Sequence, residues 1–159
     1  MAIKTLAYVL AAIVAVLAQW MIQPVIAIGG IGPNFLVILI IALALQFGAI
    51  PTIWAGLVFG LVIDALTASS LMGLTAFSLA VTGYIAAQFK DNLNRVIPAL
   101  QYLILLGVVH LYFLVNDFIY HQGLDWRFIT LFWSHILPAS LYTFVVLFFV
   151  FSMTHFGED

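Results

Sequence analysis

A chain of 159 residues that is 66% hydrophobic, 6% charged and of mean hydropathy +1.26 lies far outside the range of soluble domains. Its formal net charge of −2 comes without any basic tract, which excludes nucleic-acid binding, and the absence of cysteine excludes disulfides, thiol nucleophiles and thiolate metal sites. The composition is that of an all-α integral membrane protein, a single polytopic domain over residues 1–159 whose partner throughout is the lipid bilayer.

The first span is expected over residues 5–22, ended by Gln23-Pro24, because proline removes a donor and clashes with a continuing helix. Lys4 before an apolar run imitates a signal peptide, but the run continues to Trp20 and Ile22 and more spans follow, so cleavage is not expected. The GGIGP stretch, residues 29–33, breaks the helix, and Asn34 is placed to cap a second span over 35–47. Gly48 suits the end of that span and Pro51 the first turn of a third, 51–66. A single helix over both would be about 48 Å long, too long for a hydrocarbon core of about 30 Å, so two are counted.

The link LTASS, with Ser69 or Ser70 as cap, leads into a fourth span over 71–89. KDNLNR, residues 90–95, is the most polar stretch. Pro98 opens a fifth span over 97–118, and a polar turn leads to a sixth over 128–153, where Pro138 frees the carbonyl of Ser134 and should bend the helix. Six spans form a six-helix transmembrane bundle with both termini on one side. Lys4, Lys90 and Arg95 share that side against Arg127 on the other, which places the termini in the cytoplasm by the positive-inside rule. Trp20 and Trp126 then fall at the outer interface and Trp54 near the inner one.

The third span carries the one acid set well inside an apolar run, Asp64, with Gly56 and Gly60 one and two turns before it on the same narrow stripe. Two glycines four apart let helix backbones approach closely, within the chain or between chains. A carboxylate at the bilayer centre would cost roughly 2.5–3.5 kcal/mol, so Asp64 needs water, a partner or the membrane edge. It reads either as an anchor for a partner helix or ligand, or as an interfacial acceptor for the Ser69–Ser70 link. His110 and Asp117 share a face of the fifth span and Asp117 lies four before His121, a spacing for an ion pair or for groups marking the outer mouth. No metal site is expected, since no third ligand follows at a defined spacing. His135 is expected to bond a carbonyl freed by Pro138. No metalloprotease pair, nucleophile elbow or phosphate loop is present, and neither an enzyme nor a cofactor is expected. Too few intramembrane ionisable groups and no internal repeat argue against a stand-alone pump or transporter.

The stretch GLVFGLVIDALTASSLMGLTAFSLAVTGYIAAQF resembles the MreD family, the small polytopic subunit of the bacterial rod-shape machinery, or elongasome. The pattern is Gly60, Leu61 and Asp64, a small-residue link, Met72-Gly73, then Gly83 and Tyr84, with Pro33-Asn34 opening the second span. One departure is that the link carries no glycine between Asp64 and Leu71. The resemblance implies an inner (cytoplasmic) membrane scaffold that binds MreC, a single-span protein. Indirectly, with MreB, RodA and a class B penicillin-binding protein, it supports peptidoglycan synthesis and cell shape. On that reading Gly56, Gly60 and Asp64 receive a partner helix, and Gly73, Gly83 and Tyr84 serve the helix link and packing. The fold also resembles the S-components of energy-coupling-factor transporters. The alternative is therefore a vitamin-binding S-component, with Asp64, Asn116 and Asp117 lining a ligand pocket and Ala7, Ala11 and Ala15 facing a coupling subunit.

Overall fold

The computed structural model describes residue 10 and residues 12–67, 71–121 and 126–155. They form six helices: α1 (Ala12–Ile26), α2 (Phe35–Phe47), α3 (Ala49–Leu66), α4 (Leu74–Gln88), α5 (Pro98–Tyr120) and α6, continuous through Trp126–Leu131, Phe132–Ile136 and Leu137–His155. No β-strand occurs among the described residues beyond an isolated bridge between Ile28 and Ile31 around the Gly29-Gly30 turn. Three stretches are long and apolar enough to cross a membrane, Ala49–Leu66, Pro98–Tyr120 and Ile129–Ser152, while α1, α2 and α4 are shorter apolar helices.

The short helix α2 is the hub. It is apolar all round, and Leu36, Val37, Ile40, Ile41 and Ala44 are all but inaccessible, because α3, α4, α5 and α6 pack around it. A helix only 13 residues long ends inside the bundle, so its N-terminal amides need partners from the protein. Three elements provide them. The Asn34 side chain accepts from Leu36 and Val37 N–H (3.1 and 3.2 Å), Gln19 of α1 accepts from Phe35 N–H (2.8 Å), and Thr143 of α6 accepts from Asn34 N–H (3.0 Å). Replacing Asn34 by alanine should lower stability by about 1–2 kcal/mol, read as an earlier thermal transition in detergent. A melting curve that superimposes on that of the parent would refute the role of this cap.

At its other end α2 stops at Gly48, whose φ of 88° no β-carbon favours, and α3 begins at once. The first span departs from expectation. Gln23-Pro24 does not end α1, which continues to Ile26. The reason is a wide π-turn over Ala18–Ile22, closed by Gln23 N–H on the Ala18 carbonyl, which shifts the ladder just where the proline ring would otherwise clash. The same device recurs before Pro138, where Leu137 N–H reaches the Phe132 carbonyl across Phe132–Ile136. Tyr142 then ties α6 to the end of α1 through the Ile26 carbonyl (3.3 Å).

Candidate functional site

Alternating helix directions gather the C-terminal ends of α3 and α5 with the N-terminal ends of α4 and α6, and the polar residues of the bundle collect there. Asp64, on the last turn of α3, is 2% exposed. Its Oδ2 accepts hydrogen bonds from Gly73 N–H (2.8 Å) and Thr75 N–H (3.1 Å), the first free amides of α4. Asp64 is thus an N-cap delivered from a neighbouring helix, on the favourable end of the α4 dipole. Gly73, the residue before α4, has no capping side chain and a φ of 96°, a conformation that turns its amide toward the carboxylate. The Ser69–Ser70 link, expected to supply the cap, lies outside the described residues.

The glycine stripe leading to Asp64 also faces α4. A β-carbon at Gly56 would sit 2.9 Å from the Ala80 nitrogen, and one at Gly60 would overlap the backbone of Ala76. The notch expected to receive an outside helix is therefore filled by α4 of the same chain, which corrects that placement: small residues on both sides let the two backbones touch. Gly83, one turn farther along α4, meets Thr52 of α3 and Ile40 of α2 in the same way, at 2.6 and 3.0 Å from an added β-carbon. Tyr84 points outward and is half exposed.

The second carboxylate, Asp117 of α5, takes the ring Nδ1 of His135 at 3.1 Å. His135 had been expected on a carbonyl freed by Pro138; the π-turn instead rotates it toward α5. His110 and Asp117 do not meet either. His110 Nδ1 lies 3.0 Å from Ser140 Oγ, and the Ser140 hydroxyl donates to the Leu137 carbonyl (2.9 Å). His121 Nδ1 sits 2.9 Å from the Asp117 backbone carbonyl. His110, His121 and His135 are thus each engaged, and among the described residues no three His, Asp or Glu groups converge on a metal position. His135 is 43% exposed, so a double-mutant cycle between it and Asp117 should give a coupling of no more than about 1 kcal/mol. A coupling several times larger would show that the pair is dry and structural.

Two cavities open among these groups. One, of about 150 Å³, is lined by Asp64, Leu71, Leu74, Thr75, Asn116 and Tyr120. The other, of about 300 Å³, is lined by Asn116, Asp117, Tyr120, His121, Leu131 and His135. Sequence reasoning named Asp64, Asn116 and Asp117 but missed Thr75 and Tyr120, as well as Ser140 as the partner of His110. These pairings join residues tens of positions apart, and only the hydroxyls lodged in apolar runs hint at them.

The match to known families covers the site and nearly everything around it. The family model of the rod shape-determining protein MreD aligns with residues 2–155. The chain belongs to the MreD family. No curated protein and no solved structure matches it. Membership makes this a membrane protein concerned with cell shape, consistent with the three membrane-length helices. Residues Gly60 to Tyr84 lie on the α3–α4 pair and the link between them, and that pair is the most tightly apposed part of the bundle.

Proposed function

We propose that this MreD-family chain is a non-enzymatic scaffold subunit of the rod-shape complex. It crosses the bacterial inner membrane six times with both termini in the cytoplasm, binds an MreC-like single-span protein, and through it supports peptidoglycan synthesis by RodA and a class B penicillin-binding protein along MreB. The observation that carries this reading is the family match over residues 2–155. The chemistry supports it too. Ser140 donates its proton to a carbonyl and so is not activated by His110, and the two intramembrane carboxylates hold helix ends and a histidine. The orientation rests on Lys90, beside Gly48, and Arg95, which lie at the end opposite Asp64. Because α4 fills the Gly56/Gly60 notch, a partner helix bears on the outward face of the bundle.

Native mass spectrometry of the protein released gently from its own membrane tests this. Recovery with a single-span MreC-like protein is the expected result. Recovery with a vitamin-sized molecule or a transporter coupling subunit would replace the scaffold by an S-component whose pocket is the Asp64–Asn116–Asp117 mouth.

A further inference from the structure

Glycine inside a helix weakens it by about 1 kcal/mol relative to alanine, and is best tolerated where something packs closely against it. Gly56, Gly60 and Gly83 fit that rule, since each abuts a facing helix. Gly107 does not. It sits near the middle of α5 on the exposed side, and a β-carbon there would meet nothing within 4 Å. Leu103, itself exposed, lies one turn before it, and His110 and Leu114 follow at the alternating steps of four and three residues that form a seam between two helices. Leu114 opens an apolar groove of about 370 Å³ that runs on to Ile119.

His110 adds a chemical requirement to this shape. The Ser140 hydroxyl gives its proton to the Leu137 carbonyl, so the 3.0 Å contact between His110 and Ser140 is a hydrogen bond donated by Nδ1–H. With the ring proton on Nδ1, Nε2 carries a lone pair on the far side of the ring from Ser140, and among the described residues no donor reaches it. In the helix Pro98–Tyr120 this residue lies about 15 Å from either end, and it lines neither of the two mouth cavities. A part-exposed acceptor at a watery surface bonds water; at this depth its neighbour is hydrocarbon, which has no donor, and the lone pair is left unmet. We propose that the Leu103–Gly107–His110–Leu114 stripe receives a transmembrane helix of another protein, whose backbone closes on Gly107 and whose serine, threonine, asparagine or glutamine side chain donates to His110 Nε2 at mid-span. An acyl chain gains nothing from a glycine and brings no donor. A second copy does not fit either: copies inserted the same way meet at equal depth about a two-fold axis, which sets His110 against His110, acceptor against acceptor. The identity of the occupant rests on the scaffold reading, in which a single-span partner bears on the outward face of the bundle; the stripe says which face.

The test uses the full chain in its native membrane, with Leu103 replaced by photoreactive benzoylphenylalanine. Irradiation should join it to the membrane segment of a single-span protein, close to a serine, threonine, asparagine or glutamine of that segment. The same probe at the similarly exposed Phe77 of α4 should give lipid adducts. Gly107→Leu fills the notch while touching nothing in its own chain, so recovery of the partner in native mass spectrometry should fall about tenfold. His110→Leu, which removes the acceptor, should lower it several-fold. Each variant is first shown to melt with the parent. Equal recovery of the partner by the parent and by Gly107→Leu would overturn this site and leave the scaffold standing. A Leu103 adduct to a second copy of the chain would overturn it as well, as would a partner that cross-links at Phe77 and not at Leu103. If the parent brings down no single-span protein at all, the scaffold reading fails first and the stripe loses its occupant with it.

Discussion

Gly60→Leu should prevent recovery of the folded protein. A β-carbon at this position already overlaps the Ala76 backbone, and three further carbons have nowhere to go. The obstacle is main chain on the facing helix, so no rotamer change relieves it and α3 must separate from α4. Overpacking of a tight core costs about 1–3 kcal/mol and sometimes more, against a total stability of about 5–15 kcal/mol. Loss of the interface also pulls Asp64 away from α4, so the upper end is expected. Gly60→Ala should be damaging as well, and Gly56→Ala less so, since its β-carbon meets Ala80 at 2.9 Å. Gly107 is the control: it is exposed on α5 with nothing within 4 Å, so Gly107→Ala should be neutral or stabilising by up to about 1 kcal/mol. Size-exclusion profiles after heating in detergent give the ranking. If Gly60→Leu melts with the parent, the close α3–α4 contact does not exist.

Asp64→Ala is the second large effect, with an expected loss of about 2–4 kcal/mol. It strips the acceptor from two half-buried backbone amides, Gly73 and Thr75, and an amide left without a partner costs about 1–3 kcal/mol when water cannot replace it. Asparagine keeps one carbonyl oxygen for those amides and loses the charge, which roughly halves a hydrogen bond of this kind, so Asp64→Asn should cost only about 1 kcal/mol. Hydrogen exchange localises the effect: protection should drop at the amides of residues 73–76 in Asp64→Ala and stay nearly intact in Asp64→Asn. Equal protection in the alanine variant and the parent would show that water or another side chain caps α4.

Much of the helical layout was legible because its punctuation is local. Asn34 and Gly48 bound α2, and Pro98 opens α5, each through its own side chain or φ preference. The Gly60-to-Tyr84 pattern pointed to the family that the match over residues 2–155 establishes. Prolines were less legible. Pro24 and Pro138 both sit two residues beyond a π-turn, and a wide turn that absorbs a proline leaves no signature in hydrophobic periodicity. His135 was misplaced for that reason, since the extra residue in the turn changes the face on which every preceding side chain lies.

Composition and spacing by themselves determined that this chain is a helical membrane protein, where most of its helices break, and that a stripe of Gly56 and Gly60 suited to a close contact leads to Asp64. These follow from transfer free energies and from backbone stereochemistry, which act within a turn or two of chain. Only the tertiary structure decided that the contact is with α4, that Asp64 caps it, that His110 and Asp117 each turn to α6, and that α2 lies at the centre. In a bilayer every face of these helices is apolar, so hydrophobicity does not distinguish the side toward lipid from the side toward protein. That choice is made by shape and by a few hydrogen bonds between residues far apart in the chain.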